Sequence, residues 1–152
     1  MNTREFTVLA VSAFVFGVVL GCYLGTILYR LKVNAPFLTR KCFCPACKHT
    51  LLLRDQIPVI GYVMLRGRCR YCGAKISPAY PLREVLVGVY YFATFMATYK
   101  SPVLMLILWL AMPFTAFMYV AVRYKVNVVK AYLNLLLMTL PYTLLVFALC
   151  QV

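Results

Sequence analysis

Long uncharged stretches of apolar residues are the feature that most limits what this chain can fold into. A helix that spans a bilayer needs about 20 mostly apolar residues to cross a hydrocarbon core of about 30 Å. Three stretches have this length without a charged residue: Phe6–Tyr29, Pro102–Val122 and Ala131–Val152. A fourth stretch, Leu82–Tyr99, is shorter and has Arg83 and Glu84 near its start. The sequence therefore predicts four transmembrane helices.

The composition supports this interpretation. Hydrophobic residues make up 64% of the chain and charged residues only 12%, whereas soluble domains carry about 25% charged residues. A soluble globular domain is therefore not expected, and an integral membrane protein is.

Basic residues are concentrated in one part of the sequence. The chain has 16 Lys and Arg against three acids, and most of the basic residues lie between Arg30 and Arg83. Because cytoplasmic loops of membrane proteins are rich in Lys and Arg, this loop is predicted to be cytoplasmic, with both termini outside. Such a loop also suits anionic lipid. We do not favour nucleic acid as a partner, because membrane helices would tether the loop at both ends.

Two paired cysteines lie within the basic loop, Cys44-Pro-Ala-Cys47 and Cys69-Arg-Tyr-Cys72. Two residues between cysteines allow both thiolates to reach one cation, and a second pair completes a tetrahedron. A cytoplasmic location disfavours disulfides, and no βαβ pattern favours a thioredoxin-like redox site. The pattern predicts a closed, structural Zn²⁺ site. Cys42 and His49 could be alternative ligands, but we interpret them as exposed neighbours of the site.

The predicted fold class is an all-α polytopic membrane protein. It would have about four transmembrane helices, with a small cytoplasmic four-cysteine zinc domain of knuckles and short strands between helices 1 and 2. The expected divisions are a first helix at 1–29, a zinc-binding loop domain at 30–81 and a three-helix membrane region at 82–152. Glycines recur every fourth residue in the first helix, at Gly17, Gly21 and Gly25. Such a stripe favours close helix packing, which we expect within this protein's own bundle.

Several segments in this order resemble the N-terminal half of the bacterial prepilin peptidases. They are GCYLGTILYRL, CPACKHTL and IPVIGYVMLRGRCRYCGAKISPAYPLREVLVG. These enzymes are polytopic inner-membrane proteins of type IV pilus, competence and type II secretion systems. The resemblance implies a bacterial inner-membrane location, type IV pilin-like substrates, a zinc domain, and N-methylation from S-adenosylmethionine associated with this region.

The chain departs from this family in its acidic residues. Cleavage in the family uses two aspartates in the C-terminal half, whereas the single aspartate here is Asp55, within the zinc loop. A serine common in the family is replaced by Gly61. Asp55 and Glu84 are then the acids that could contact the methyl donor or the pilin amine. A turn residue for Asp55, and an interfacial partner of Arg83 or of the loop arginines for Glu84, are the simpler interpretations.

The expected function follows from this mixture of agreement and departure. The chain is predicted to act on type IV pilin-like substrates without protease activity of its own, either as an N-methyltransferase or beside a separate aspartate-bearing protease subunit. Whether it is itself an enzyme is left open. The alternative is a non-catalytic, zinc-containing membrane scaffold of a pilus or secretion machine.

Overall fold

The computed structural model describes residues 2–33, 42–124 and 129–151, and these residues are mostly helical. Two basic residues of the predicted loop, Arg40 and Lys41, lie outside the described residues, as does Lys125 of the later basic turn. The elements in chain order are α1 (Thr3–Lys32), a short 3-10 helix (Leu53–Gln56), α2 (Ile60–Met64), α3 (Ala79–Thr98), α4 (Pro102–Tyr124) and α5 (Val129–Gln151). All four apolar stretches thus form helices.

Two segments of the described chain are long and apolar enough to span a membrane, Thr3–Arg30 and Pro102–Tyr119. Helix α3 falls short because Arg83 and Glu84 lie in its second turn, which leaves a shorter uncharged stretch. Helix α5 contributes a shorter apolar segment, Thr139–Cys150. The structure therefore provides two candidate membrane helices, with the four cysteines between them in the chain.

Helices α1 and α3 pack antiparallel, with their backbones unusually close. A Cβ atom added to Gly17 would lie 2.8 Å from the Cα of Gly88, and one added to Gly21 would lie 2.9 Å from the Cα of Glu84. Real Cβ atoms do not approach backbone so closely, so glycine is required at both contacts. The expectation that the glycine stripe packs within this protein's own bundle is confirmed.

Aromatic side chains connect this helix pair to α4 and α5. The Phe16 ring of α1 stacks on Tyr142 of α5 with centroids 4.1 Å apart, and the Tyr142 hydroxyl hydrogen-bonds to Ser12 at 2.9 Å. Trp109 of α4 is 1% exposed and donates its indole N–H to Thr94 of α3. Each polar tip finds a partner, as burial of aromatic residues requires. The four long helices therefore share one core.

The predicted short strands of the loop are wrong for the described residues. Residues 42–78 contain two isolated antiparallel bridges, Phe43 with Thr50 and Arg68 with Lys75, and no strand. Each bridge closes a tight loop around one cysteine pair. Only one residue pair beside each cysteine pair forms a β-bridge, because the chain then turns away.

Candidate metal centre

Two loops with the same backbone hydrogen bonds form the candidate metal centre. In the first, the Cys44 N–H donates to the His49 carbonyl and the Lys48 N–H donates to the Cys44 carbonyl. In the second, Cys69 pairs with Ala74 and Gly73 with Cys69 in the same way. The position after the second cysteine of each pair has positive φ, 60° at Lys48 and 68° at Gly73. Gly73 suits this conformation, and Lys48 adopts it despite its side chain.

The two loops face each other and bring four sulfur atoms together. The Sγ atoms of Cys44, Cys47, Cys69 and Cys72 all lie within 4.8 Å of one another, and those of Cys44 and Cys72 are 3.9 Å apart. Tetrahedral zinc with Zn–S bonds of about 2.3 Å would place its sulfurs about 3.8 Å apart. The donor set and its spacing therefore fit a zinc ion.

Backbone dipoles prepare one of these thiols to ionise. The N–H groups of Cys72 and Tyr71 lower the pKa of the Cys69 thiol to about 7. At Cys72 the Ala74 N–H also lowers the pKa, but burial and the three neighbouring thiols outweigh it and raise the pKa to about 11. Like charges crowded together disfavour ionisation. A cation at the centre would relieve this cost, which is what a thiolate metal site needs.

The possible alternative ligands do not join the sulfur cluster. His49 stacks on Tyr71 with ring centroids 3.7 Å apart, and the compact set of ligand atoms contains neither His49 nor Cys42. His49 is exposed, as expected, while Cys42 is partly buried. The expectation that neither belongs to the site is consistent with this geometry.

Asp55 links the 3-10 helix to the second cysteine loop. Its carboxylate accepts two hydrogen bonds from the Arg70 guanidinium, at 2.7 and 3.0 Å, and its side chain is only 1% exposed. The Arg70 hydrogen bonds hold the pKa of the Asp55 carboxyl below its usual range. The interpretation of Asp55 as a simple turn residue was therefore incomplete, because its partner lies between the cysteines of the second pair.

Glu84 links helix α3 to the same loop. Its Oε2 accepts a hydrogen bond of 2.7 Å from the backbone N–H of Val59, the N-cap residue of α2, which has φ 60° and ψ −53°. The expected partner was an arginine side chain, whereas the hydrogen bond observed is to backbone. A β-branched residue at positive φ is strained, so Glu84 stabilises an unfavourable turn.

Close packing explains why residue 61 of this chain is a glycine. A Cβ atom there would collide with the Asp55 carbonyl oxygen, because α2 packs directly on the 3-10 helix. Glycine at a position where the resemblance implies a serine therefore goes with a tight contact that a side chain could not share.

Sequence reasoning identified the cysteines but missed the roles of Val59 and Arg70. No local pattern predicts positive φ at a valine. The Asp55 and Arg70 pair could have been suspected from opposite charge alone, although 15 residues separate them.

Comparisons with known proteins agree with this architecture. The model of the bacterial peptidase A24 N-terminal domain matches residues 15–98, which include the glycine stripe, the four cysteines and all of α3. No solved structure matches the chain.

Curated relatives match the same half. A prepilin leader peptidase/N-methyltransferase of Myxococcus xanthus is 38% identical over 84 residues, which is 55% of this chain and 25% of that protein. One from Klebsiella pneumoniae is 36% identical over 83 residues, 49% of this chain and 36% of that protein. A type 4 prepilin-like proteins leader peptide-processing enzyme of Escherichia coli is 34% identical over 97 residues, 52% of this chain and 36% of that protein. The match thus spans between a quarter and about a third of each relative.

Proposed function

We propose that this chain, which belongs to the bacterial peptidase A24 family, works on type IV pilin-like proteins as a membrane-anchored, zinc-bearing module. The observation that carries the proposal is the preformed four-sulfur cluster within residues 15–98, the part that matches the family. The names of the curated relatives, which refer to prepilins and prepilin-like proteins, support the substrate class.

We further propose that the module sits in the bacterial inner membrane with four spanning helices. The zinc loop would be cytoplasmic and both termini outside, and the functional divisions would be residues 1–29, 30–81 and 82–152. Two candidate spans and the shorter apolar segment of α5 support this arrangement. The basic residues of the loop support its cytoplasmic side.

The proposed zinc ion is structural. Cys44, Cys47, Cys69 and Cys72 would fill all four coordination positions, so no position is left for water or substrate. The ion would cross-link the two loops and neutralise the crowded thiolates. In this role it supplies rigidity to the loop and no chemical step.

We propose that the chain does not cleave prepilins by itself. An aspartic protease needs two carboxyl groups close together, one to activate water and the other to protonate the leaving group. The only aspartate of the sequence is Asp55, and both of its oxygens are bound by Arg70. Cleavage would require a separate aspartate-bearing subunit.

Two forms of the proposal differ in whether methyl transfer is retained. In the first, the module binds S-adenosylmethionine and methylates the exposed pilin N-terminus, with Glu84 or Asp55 near the cationic donor. In the second, it is a non-catalytic scaffold of a pilus or secretion machine. The engagement of Glu84 by Val59 and of Asp55 by Arg70 favours the second form, since both carboxylates already serve structural contacts.

A transfer assay separates the two forms. The purified chain is mixed with labelled S-adenosylmethionine and a pilin already cleaved to expose its N-terminal residue. Label on the pilin N-terminus supports the methyltransferase form. No label, in protein that contains zinc and keeps its helical content, supports the scaffold.

The protease proposal is tested in parallel with an uncleaved pilin precursor. We expect no cleavage by the chain alone, and cleavage after addition of an aspartate-bearing subunit. Cleavage by the pure chain would show that the proposal is wrong. A membrane-inserted chain that neither methylates a pilin nor co-purifies with one would contradict the proposed substrate class.

A further inference from the structure

A basic groove lies between the second cysteine loop and the start of α3. It has a volume of about 450 Å³, and its lining includes Tyr62, Arg66, Arg68, Lys75 and Ser77. Arg66 and Gly67 both have positive φ, 50° and 67°, so the chain reverses sharply here. The turn and the bridge of Arg68 with Lys75 gather three cations around one opening.

None of these three cations has an acidic partner among the residues that the structure describes. Asp55 is bound by Arg70, and Glu84 accepts its hydrogen bond from Val59. The third acid of the sequence, Glu5, lies in the first turn of α1, at the end of that helix farthest from the groove. An anion from outside the chain is therefore needed to balance the positive charge of the groove.

The packing of α1 on α3 fixes the depth of this groove. Gly17 contacts Gly88, and Gly21 contacts Glu84. Pro78 lines the groove and caps α3. It lies as many residues before Gly88 in the sequence as Ile27 lies after Gly17. The same holds for Glu84 and Gly21. Because both helices rise about 1.5 Å per residue, Pro78 is level with Ile27. The candidate span ends at Arg30, so a bilayer spanned by α1 would have its edge at the level of the groove.

Helix α2 adds an apolar surface beside the groove. Ile60, Val63 and Met64 are 55%, 65% and 58% exposed, and their spacing places them on one helix face. Tyr62, on the same short helix, lines the groove. Basic residues beside exposed apolar side chains are the combination that binds at the interface of an anionic membrane.

We propose that this groove is a binding site for the phosphate of an anionic lipid headgroup. Arg66, Arg68 and Lys75 would contact the phosphate, while Ile60, Val63 and Met64 of α2 would enter the interface beside it. A lipid phosphate is favoured over a free one because the groove lies at headgroup depth. The site rests on insertion of α1 into the bilayer, and it requires neither methyl transfer nor a pilin.

The test measures lipid binding to the full chain purified in a neutral detergent. Fluorescent phosphatidylglycerol is titrated against the protein, with phosphatidylcholine of the same acyl chains for comparison. The triple variant R66Q/R68Q/K75Q removes the groove charges. A matched variant, R4Q/R54Q/K100Q, removes three exposed cations outside the groove lining and leaves the same net charge.

Each cation near an anionic lipid surface contributes about fivefold to binding, so the groove variant should bind phosphatidylglycerol on the order of 100-fold more weakly. The matched variant should change by less than about threefold, because its cations are not at the site. Phosphatidylcholine should bind weakly to all three proteins. Equal losses in the two variants would show diffuse charge attraction and overturn the proposal.

Two further measurements keep the result interpretable. Inorganic phosphate is added as a competitor, and displacement of the labelled lipid at similar concentrations would show that free phosphate is the ligand and that the lipid assignment is wrong. Zinc content and helicity are compared across the variants. If the triple variant loses its fold, the single variants R66Q and K75Q replace it, each with an expected loss of about fivefold, and an unchanged affinity in both contradicts the site.

Discussion

Among the residues that the structure describes, three non-glycine residues have positive φ, and all of them lie in the segment between α1 and α3: Lys48, Val59 and Arg66. Each such conformation is disfavoured by contact of the side chain with the backbone. They persist because surrounding contacts determine the chain path, namely the cysteine loops for Lys48 and Glu84 for Val59. At the residue scale, the loop therefore depends on a few contacts that can be removed one at a time.

Replacement of two cysteines tests the metal centre. We expect about one zinc equivalent per chain in protein prepared under reducing conditions, and its loss in C69S/C72S, because only two thiolates are left to bind the ion. The variant C42S should keep its zinc, since Cys42 lies outside the sulfur cluster. Elemental analysis of the purified proteins measures both. Zinc retained by C69S/C72S, or absent from the parent protein, would contradict the assignment.

Replacement of Glu84 tests the link between α3 and the loop. In E84A the Val59 N–H loses its acceptor, and a lost hydrogen bond to a partly buried group costs about 1–3 kcal/mol. We expect faster cleavage within residues 42–78 in limited proteolysis. The control E84Q keeps a carbonyl oxygen that can accept the bond, so its loop should resist cleavage nearly as the parent does. Equal protection of E84A and the parent would argue against the link.

At the scale of elements, close contact between α1 and α3 sets the geometry of the molecule. The glycines of the two helices allow backbone contact at Gly17 and Gly21. Gly25 differs, because its neighbour is the end of the flexible Arg83 side chain, with Nη1 2.6 Å from an added Cβ. The stripe therefore contains two positions that cannot accept a side chain and one that can.

The variant G17A should be destabilised by about 1–3 kcal/mol, because an added methyl group would overpack the interface against the Gly88 backbone. The variant G25A should be nearly neutral or slightly stabilised, because Arg83 can move aside and alanine favours a helix by about 1 kcal/mol. Thermal unfolding in detergent compares the two. A larger loss in G25A than in G17A would mean that α1 and α3 pack differently.

At the scale of the whole molecule, four helices share an aromatic core while the cysteine loops lie beyond the ends of α1 and α3. Trp109 and Tyr142 connect α4 and α5 to this helix pair through Thr94 and Ser12. The candidate metal centre and the groove lie in the segment of the chain between α1 and α3. Orientation of the bundle therefore decides which compartment the loop faces.

Reporter fusions test this orientation. Alkaline phosphatase, which folds only outside the cytoplasm, should be active when fused after Lys100 or after Gln151, and inactive when fused after Gly73. Fluorescent-protein fusions should give the opposite pattern, because the basic loop is expected to stay in the cytoplasm. Phosphatase activity at Gly73 would reverse the proposed topology, and activity at all three sites would contradict a four-span arrangement.

Much of this molecule follows from local sequence pattern. Apolar runs predicted the four long helices, because length and apolarity act within each segment. The two Cys-x-x-Cys pairs predicted which four sulfur atoms lie together, because two-residue spacing alone lets both thiolates converge. The ordered motifs also indicated the family. The glycine period predicted close packing but not its partner.

Only the tertiary structure decided which distant groups meet. It paired Asp55 with Arg70, joined Glu84 to the strained turn at Val59, and placed Gly17 against Gly88. It also gathered Arg66, Arg68 and Lys75 around one groove. The physical reason is that these contacts depend on the relative positions of separate elements. The meeting of the two cysteine loops and the α1 and α3 interface fix those positions together, and no local pattern specifies them.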